Sequence, residues 1–138
     1  MDKAEFLKRT PLFSSCNDDE IASILATAKE RSFSEGDPII REGREGGRAF
    51  FLLLSGTAEV YKGSTHLATY EPGDYFGEMA LLLEDQPRTA SVVATSDATA
   101  LAVTAWDLKA LLTQHPEIGV KMMGELARRL ADTDAKLG

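Results

Sequence analysis

Turn signals interrupt residues 28–104 at short intervals, and this punctuation limits the fold more than any other feature of the chain. They are Glu35-Gly36-Asp37-Pro38, Glu42-Gly43, Gly46-Gly47, Ser55-Gly56, Lys62-Gly63-Ser64 and Pro72-Gly73-Asp74. The segments between them are short and β-like. At this spacing they predict about eight strands in an antiparallel sandwich or barrel. The glycines at 36, 43, 47, 56, 63 and 73 fit tight turns that need a positive φ. Residues 49–54 are almost wholly apolar, which places that strand in the middle of the barrel.

Both flanks carry helical patterning. Residues 1–27 read as a helical N-terminal segment: a short helix over 2–9 with Phe6 and Leu7, ended by Pro11, then a second helix. Asn17 caps the second helix, with Glu20 in the capping-box position. Ile21, Ile24, Leu25 and Ala28 recur at helical spacing and form its expected buried stripe. Residues 105–138 return to helix. Thr104 is an N-cap with Asp107 in the third helical position, and Leu108, Leu111 and Leu112 share a face. Pro116 opens the last helix. There Met123, Leu126, Leu130, Thr133 and Leu137 are spaced 3, 4, 3 and 4. That spacing suits a seam with a second copy and suits equally a face packed on the chain's own barrel. The expected fold is α+β, mainly β. It is an eight-stranded antiparallel jelly-roll-like barrel over 28–104 with an inserted short helix, N-terminal helices and two C-terminal helices.

The length of 138 residues fits a single domain over 1–138. Basic residues number 15 and acidic residues 22, a net charge of -7. Phosphate neutralisation needs clustered Lys and Arg, so this segment is not expected to grip nucleic acid itself. The Arg128-Arg129 pair is too short for such a patch. One small anion held by one basic residue remains compatible with the charge. The lone Cys16 permits no internal disulfide and reads as an ordinary residue near a helix start. The N-terminus lacks the apolar core of a signal peptide. No apolar run approaches the ~20 residues that span a bilayer, so no membrane segment and a cytoplasmic location are expected.

Function concentrates in residues 76–92. Two strand-like stretches flank 78–83, a run of strong helix formers. A helix beginning at Gly77-Glu78 presents free amide groups, a ready anion site. Gly77 lets a ligand approach the backbone closely. Arg88 follows the turn-forming Pro87, and its planar fork suits a phosphate. Glu78 accepts hydroxyl groups such as those of a ribose, and Thr89 adds a hydroxyl beside the arginine. One anion clamp, one sugar acceptor and one further hydroxyl match a phosphorylated nucleoside.

The run Phe76-Gly77-Glu78-x-Ala80-Leu81-Leu82…Pro87-Arg88-Thr89-Ala90-Ser91-Val92 resembles the phosphate-binding cassette of cyclic-nucleotide-binding domains. That family includes catabolite activator proteins, cyclic-nucleotide-gated channels and cyclic-nucleotide-dependent kinases. The resemblance extends over nearly the whole chain, because Gly36-Asp37-Pro38, Glu42-Gly43, Gly56 and Pro72-Gly73-Asp74 fall where the family places its turns. It implies a regulatory domain, not an enzyme, that senses cAMP or cGMP and needs no cofactor. It implies Glu78 on the ribose 2′-hydroxyl and Arg88 on the cyclic phosphate. The amides of Gly77, Ala80 and Ala90 contribute, with Met79 beside them and Thr89 near phosphate or base. The last helix is similar to that of the bacterial catabolite activators at Ala127-Arg128-Arg129-Leu130 and Thr133, which adds Arg129 and Thr133 as candidates near the base. It also implies a homodimer through that helix. Asp134 stands beside Thr133 where a small hydroxyl belongs, a departure that bears on base recognition. The small-residue cassette and the activator-like last helix favour cAMP over cGMP.

Three outputs fit such a sensor. A DNA-binding regulator would continue past Gly138 into a helix-turn-helix. The chain is expected to be a piece of such a regulator, a standalone sensor acting through an unknown partner, or a channel or kinase regulatory domain. Two other function classes compete. One keeps the fold without the ligand and serves as an interaction or dimerisation module, but such domains usually lack the cassette glutamate or arginine. The other is a cupin-like metalloenzyme, which needs several histidines around a metal. His66 and His115 each stand alone, so no metal is expected.

Overall fold

The computed structural model describes residues 2–40, 49–77 and 91–137, with side chains of the last helix described through Arg128 and at Ala131. The chain divides into two compact units, Met1–Thr27 with Leu108–Gly138, and Ala28–Asp107.

The first unit is helical. Helix α1 (Lys3–Arg9) begins one residue later than the sequence suggested, because Asp2 is its cap: the Asp2 carboxylate accepts the Glu5 N–H at 2.8 Å. A 3-10 turn, Pro11–Phe13, follows. Helix α2 (Asp18–Thr27) opens on the expected capping box. The Glu20 N–H donates to Asn17 Oδ1 at 2.9 Å, and the Asn17 N–H donates to Glu20 Oε1 at 2.8 Å. Ile21 and Ile24 are buried; Leu25 is half-buried, and Ala28 lies past the helix end. Helix α3 (Ala105–Gln114) crosses the unit boundary after Asp107. Its predicted cap is present, since Thr104 Oγ1 accepts the Asp107 N–H at 3.1 Å. Helix α4 (Pro116–Leu137) buries Ile118 and Met122, whereas Met123 of the expected seam is 61% exposed. Leu130, Thr133 and Leu137 lie outside the described side chains. Leu7, Leu12, Phe13, Ile21 and Ile118 form the core of this unit. Each such side chain contributes roughly 1.5–3 kcal/mol through lost apolar surface.

Among the described residues the second unit carries eight strands: β1 (Lys29–Phe33), β2 (Pro38–Ile40), β3 (Ala49–Ser55), β4 (Ala58–Lys62), β5 (Thr65–Tyr70), β6 (Tyr75–Phe76), β7 (Ser91–Ala94) and β8 (Ala98–Thr104). All pair antiparallel, in two four-stranded sheets ordered β1-β8-β3-β6 and β2-β7-β4-β5. The jelly-roll expectation holds, as two facing sheets; among the described residues no hydrogen-bonded pair closes them into a ring. Their inner faces share one core. Phe51, Leu53, Phe76, Ala98 and Ala100 come from the first sheet, and Ile40, Ala58, Val60, Val92 and Ala94 from the second. The run 49–54 lies in β3, an inner strand, as its apolar composition required. The small residues of β8 let the sheets approach. Gly56 shows why a turn signal was needed at 55–56. Its φ is +81°, and a Cβ there would lie 2.4 Å from the Asp97 carbonyl oxygen. Gly43 and Gly47 lie outside the described residues.

Candidate functional site

Strand β6 is an edge strand only two residues long, and β7 is an inner strand of the other sheet. The chain leaves the first sheet at Gly77 and re-enters the second at Ser91, which pairs with Tyr61 of β4. Both ends of the predicted phosphate-binding segment are therefore set by the β unit. Glu78, Met79, Ala80, Arg88, Thr89 and Ala90 lie outside the described residues, and so do the Arg129 and Thr133 side chains. Of the predicted site residues, Gly77 is described. Its φ is +89°, a conformation that glycine adopts without strain.

What holds Gly77 in place was not visible in the sequence. Two register pairs join β6 to β3, Phe51↔Phe76 and Leu52↔Tyr75. Ahead of them the Leu53 N–H donates to Asp74 O at 2.9 Å, and the Gly73 N–H donates to Leu53 O at 2.8 Å. Aromatic rings then grip the strand on both sides. Tyr75 packs on Phe50 with centroids 5.7 Å apart. On the core side Phe76 is stacked between Phe51 at 5.5 Å and Tyr70 at 4.8 Å, the latter nearly parallel at 10°. Tyr70 belongs to β5, an edge strand of the other sheet. The Tyr70–Phe76 pair thus joins two edge strands that no ladder joins among the described residues.

The second sheet shows a polar outer face beside Ser91. On β4, Ala58 and Val60 are buried while Glu59 and Tyr61 alternate outward. The Tyr61 hydroxyl donates to Glu59 Oε2 at 2.5 Å. That bond to a carboxylate, and then burial, push the phenol above its ordinary range. His66, opposite Tyr61 in register, lies edge-on to its ring at 5.4 Å and is 3.2 Å from Thr69 Oγ1.

In the helical unit a buried carboxylate meets a partly exposed lysine. Lys121 Nζ donates to Glu20 Oε1 at 2.5 Å, and the Glu20 side chain is 5% exposed. The lysine bond, then the Asn17 N–H, hold the Glu20 carboxyl below its ordinary value against the effect of burial. The same pairing raises Lys121, with burial opposing. Beside this pair the Cys16 thiol is buried and pushed up, first by desolvation and then by the Glu20 charge. A raised thiol is a poor nucleophile. His115 lies 3.4 Å from Glu117. Among the described residues no group of three or more His, Cys, Asp or Glu is placed to hold a metal ion, and no helix is long and apolar enough to cross a membrane.

The comparisons with known proteins agree with this layout. Residues 30–115 match the family profile described as "Cyclic nucleotide-binding domain". Over 138 aligned residues the chain is 35% identical to the "Cyclic AMP receptor protein" of Thermus thermophilus, covering 95% of this chain and 62% of that one. Over 92 residues it is 46% identical to a "cAMP-dependent protein kinase regulatory subunit" of Hypocrea atroviridis, covering 67% of this chain and 20% of that one. The solved N-terminal domain of a transcriptional regulator from Streptomyces coelicolor superposes with a TM-score of 0.80 at 29% identity, covering 94% of this chain and 95% of that one. The chain spans 20% of the kinase subunit and 62% of the receptor protein.

Proposed function

The chain belongs to the cyclic nucleotide-binding domain family, and we propose that residues 1–138 form one regulatory domain that binds a single cyclic mononucleotide, cAMP in preference to cGMP. Residues 1–27 are its helical N-terminal segment, 28–104 its β part with the cassette 76–92, and 105–138 its C-terminal helices. Glu78 accepts the ribose 2′-hydroxyl and Arg88 pairs with the cyclic phosphate. The amides of Gly77, Ala80 and Ala90 add to the anion site, with Met79 and Thr89 alongside and Arg129 and Thr133 near the base. The observation that carries this reading is the complete Glu78…Arg88 pattern, set between a glycine at φ +89° and a strand anchored on β4. The names of the two relatives above, both of which mention cAMP, support the base preference. The ligand acts by stabilising one of two positions of α4 more than the other. That helix also serves as the homodimer seam, and the output passes to a further domain or partner in the cytoplasm. The domain carries out no chemistry of its own.

Calorimetric titration with cAMP and with cGMP tests the reading. One site per chain is expected, with cAMP the tighter ligand. At 100 times its dissociation constant the ligand adds ~2.7 kcal/mol of stability by mass action. The absence of both heat and a thermal shift at millimolar nucleotide refutes nucleotide binding.

A further inference from the structure

We propose that Tyr70 is a positioning residue for the nucleotide, acting through the ring of Phe76 on the backbone at Gly77. This rests on the binding reading above. The cassette begins at the end of β6, a two-residue edge strand whose backbone hold, two register pairs and the Asp74 and Gly73 bonds ahead of them, comes entirely from Leu53 and its neighbours on β3 among the bonds described above. Side chains add to it. Phe76 is 2% exposed and lies between two near-parallel rings, Phe51 of its own sheet and Tyr70 of the opposite one. Phe51 approaches from the strand that already pairs with β6, so it repeats a constraint the ladder imposes. Tyr70 approaches from the other sheet and imposes one the ladder does not. Together the two rings fix the height and tilt of Phe76, and hence where Gly77 directs the chain toward Glu78. A phosphate site made of backbone amides loses strength when those amides are misplaced by a fraction of an ångström. Phe33 provides an internal control. It packs edge-on against Phe51 at 6.5 Å and 70°, at the far end of the same run of rings.

The experiment is cAMP titration of four proteins, the parent chain, Tyr70→Leu, Tyr70→Phe and Phe33→Leu, each with its thermal midpoint. Tyr70→Leu is expected to weaken cAMP about 3- to 10-fold, since an aromatic pair beyond its buried area corresponds to a factor of that order. Tyr70→Phe keeps the ring and is expected to stay within about twofold of the parent. Phe33→Leu is expected to lower the thermal midpoint comparably to Tyr70→Leu and leave the affinity unchanged. A purely structural role would move affinity and midpoint together in both leucine variants. Parent-like affinity in Tyr70→Leu, or equal losses in Tyr70→Leu and Phe33→Leu, or an equal loss in Tyr70→Phe, overturns the proposal and leaves nucleotide binding standing. A parent chain that binds neither cAMP nor, in the titration above, cGMP removes both.

Discussion

Replacing Lys121 by Met leaves the Glu20 carboxylate buried at 5% side-chain exposure with the Asn17 N–H as its remaining described donor. A hydrogen bond to a charged group contributes about 1.5–3 kcal/mol. Breaking one side of a fully buried pair costs more, about 3–5 kcal/mol. The Lys121 side chain is 31% exposed, so the pair is not fully buried and the lower range applies: Lys121→Met should lose about 1.5–3 kcal/mol at pH 7. The pH dependence follows from the direction of the Glu20 shift. Its folded value lies below the ordinary 4.5. The stability it contributes is therefore complete above 4.5 and disappears as pH falls through the lower folded value. In the variant the Asn17 N–H still opposes burial, but the larger lowering influence of Lys121 is gone, so Glu20 protonates more easily in the folded chain than it does in the parent. The difference between parent and variant should be largest at pH 7 and should shrink as pH falls below 4.5, so that it is smaller at pH 3. Urea unfolding followed by helical ellipticity at both pH values measures it. Equal stability at pH 7, or an undiminished penalty at pH 3, refutes the reasoning. Glu20→Gln in the Lys121→Met background removes the charge itself and should recover part of the loss.

The ligand site gives further tests. Arg88→Ala should weaken cAMP by about 2–5 kcal/mol, and Arg88→Lys should recover part of that because the fork geometry is lost. Glu78→Gln should cost less than Arg88→Ala, since an amide oxygen still accepts a hydroxyl; parent-like binding by Arg88→Ala would place the ligand elsewhere. Thr89→Ala decides the base reading. If Thr89 contacts guanine, cGMP loses about 0.5–1.5 kcal/mol while cAMP is unchanged, and a parent that prefers cGMP tenfold until this change contradicts the cAMP preference. Gly56→Ala should destabilise the β unit by at least the ~1–3 kcal/mol of a strained left-handed residue, because its Cβ also overlaps the Asp97 carbonyl; an unchanged thermal midpoint would show that the turn relaxes.

The sequence determined what is decided within a few residues of chain. The Asn17–Glu20 box and the Thr104 cap are contacts across three residues, so composition at those positions specifies the helix starts. Positive φ at Gly36, Gly56, Gly63 and Gly73 was legible for the same reason. The apolar run of β3 announced a strand buried on both faces. The cassette was legible as a pattern of residue types, although the positions of Glu78 and Arg88 rest on resemblance. Tertiary structure decided what depends on residues far apart. Lys29-Glu30-Arg31-Ser32-Phe33 lacks apolar alternation and is a strand because β8 offers its edge. Glu20 reads as a local cap, and its second bond comes from Lys121, 101 residues away. Tyr70 and Phe76 flank an ordinary turn in sequence, and only the facing of two sheets brings their rings together at 4.8 Å. Local geometry follows from the few torsions that each residue type allows. Which distant surfaces meet follows from burying all the apolar faces at once, and no short window of sequence contains that condition.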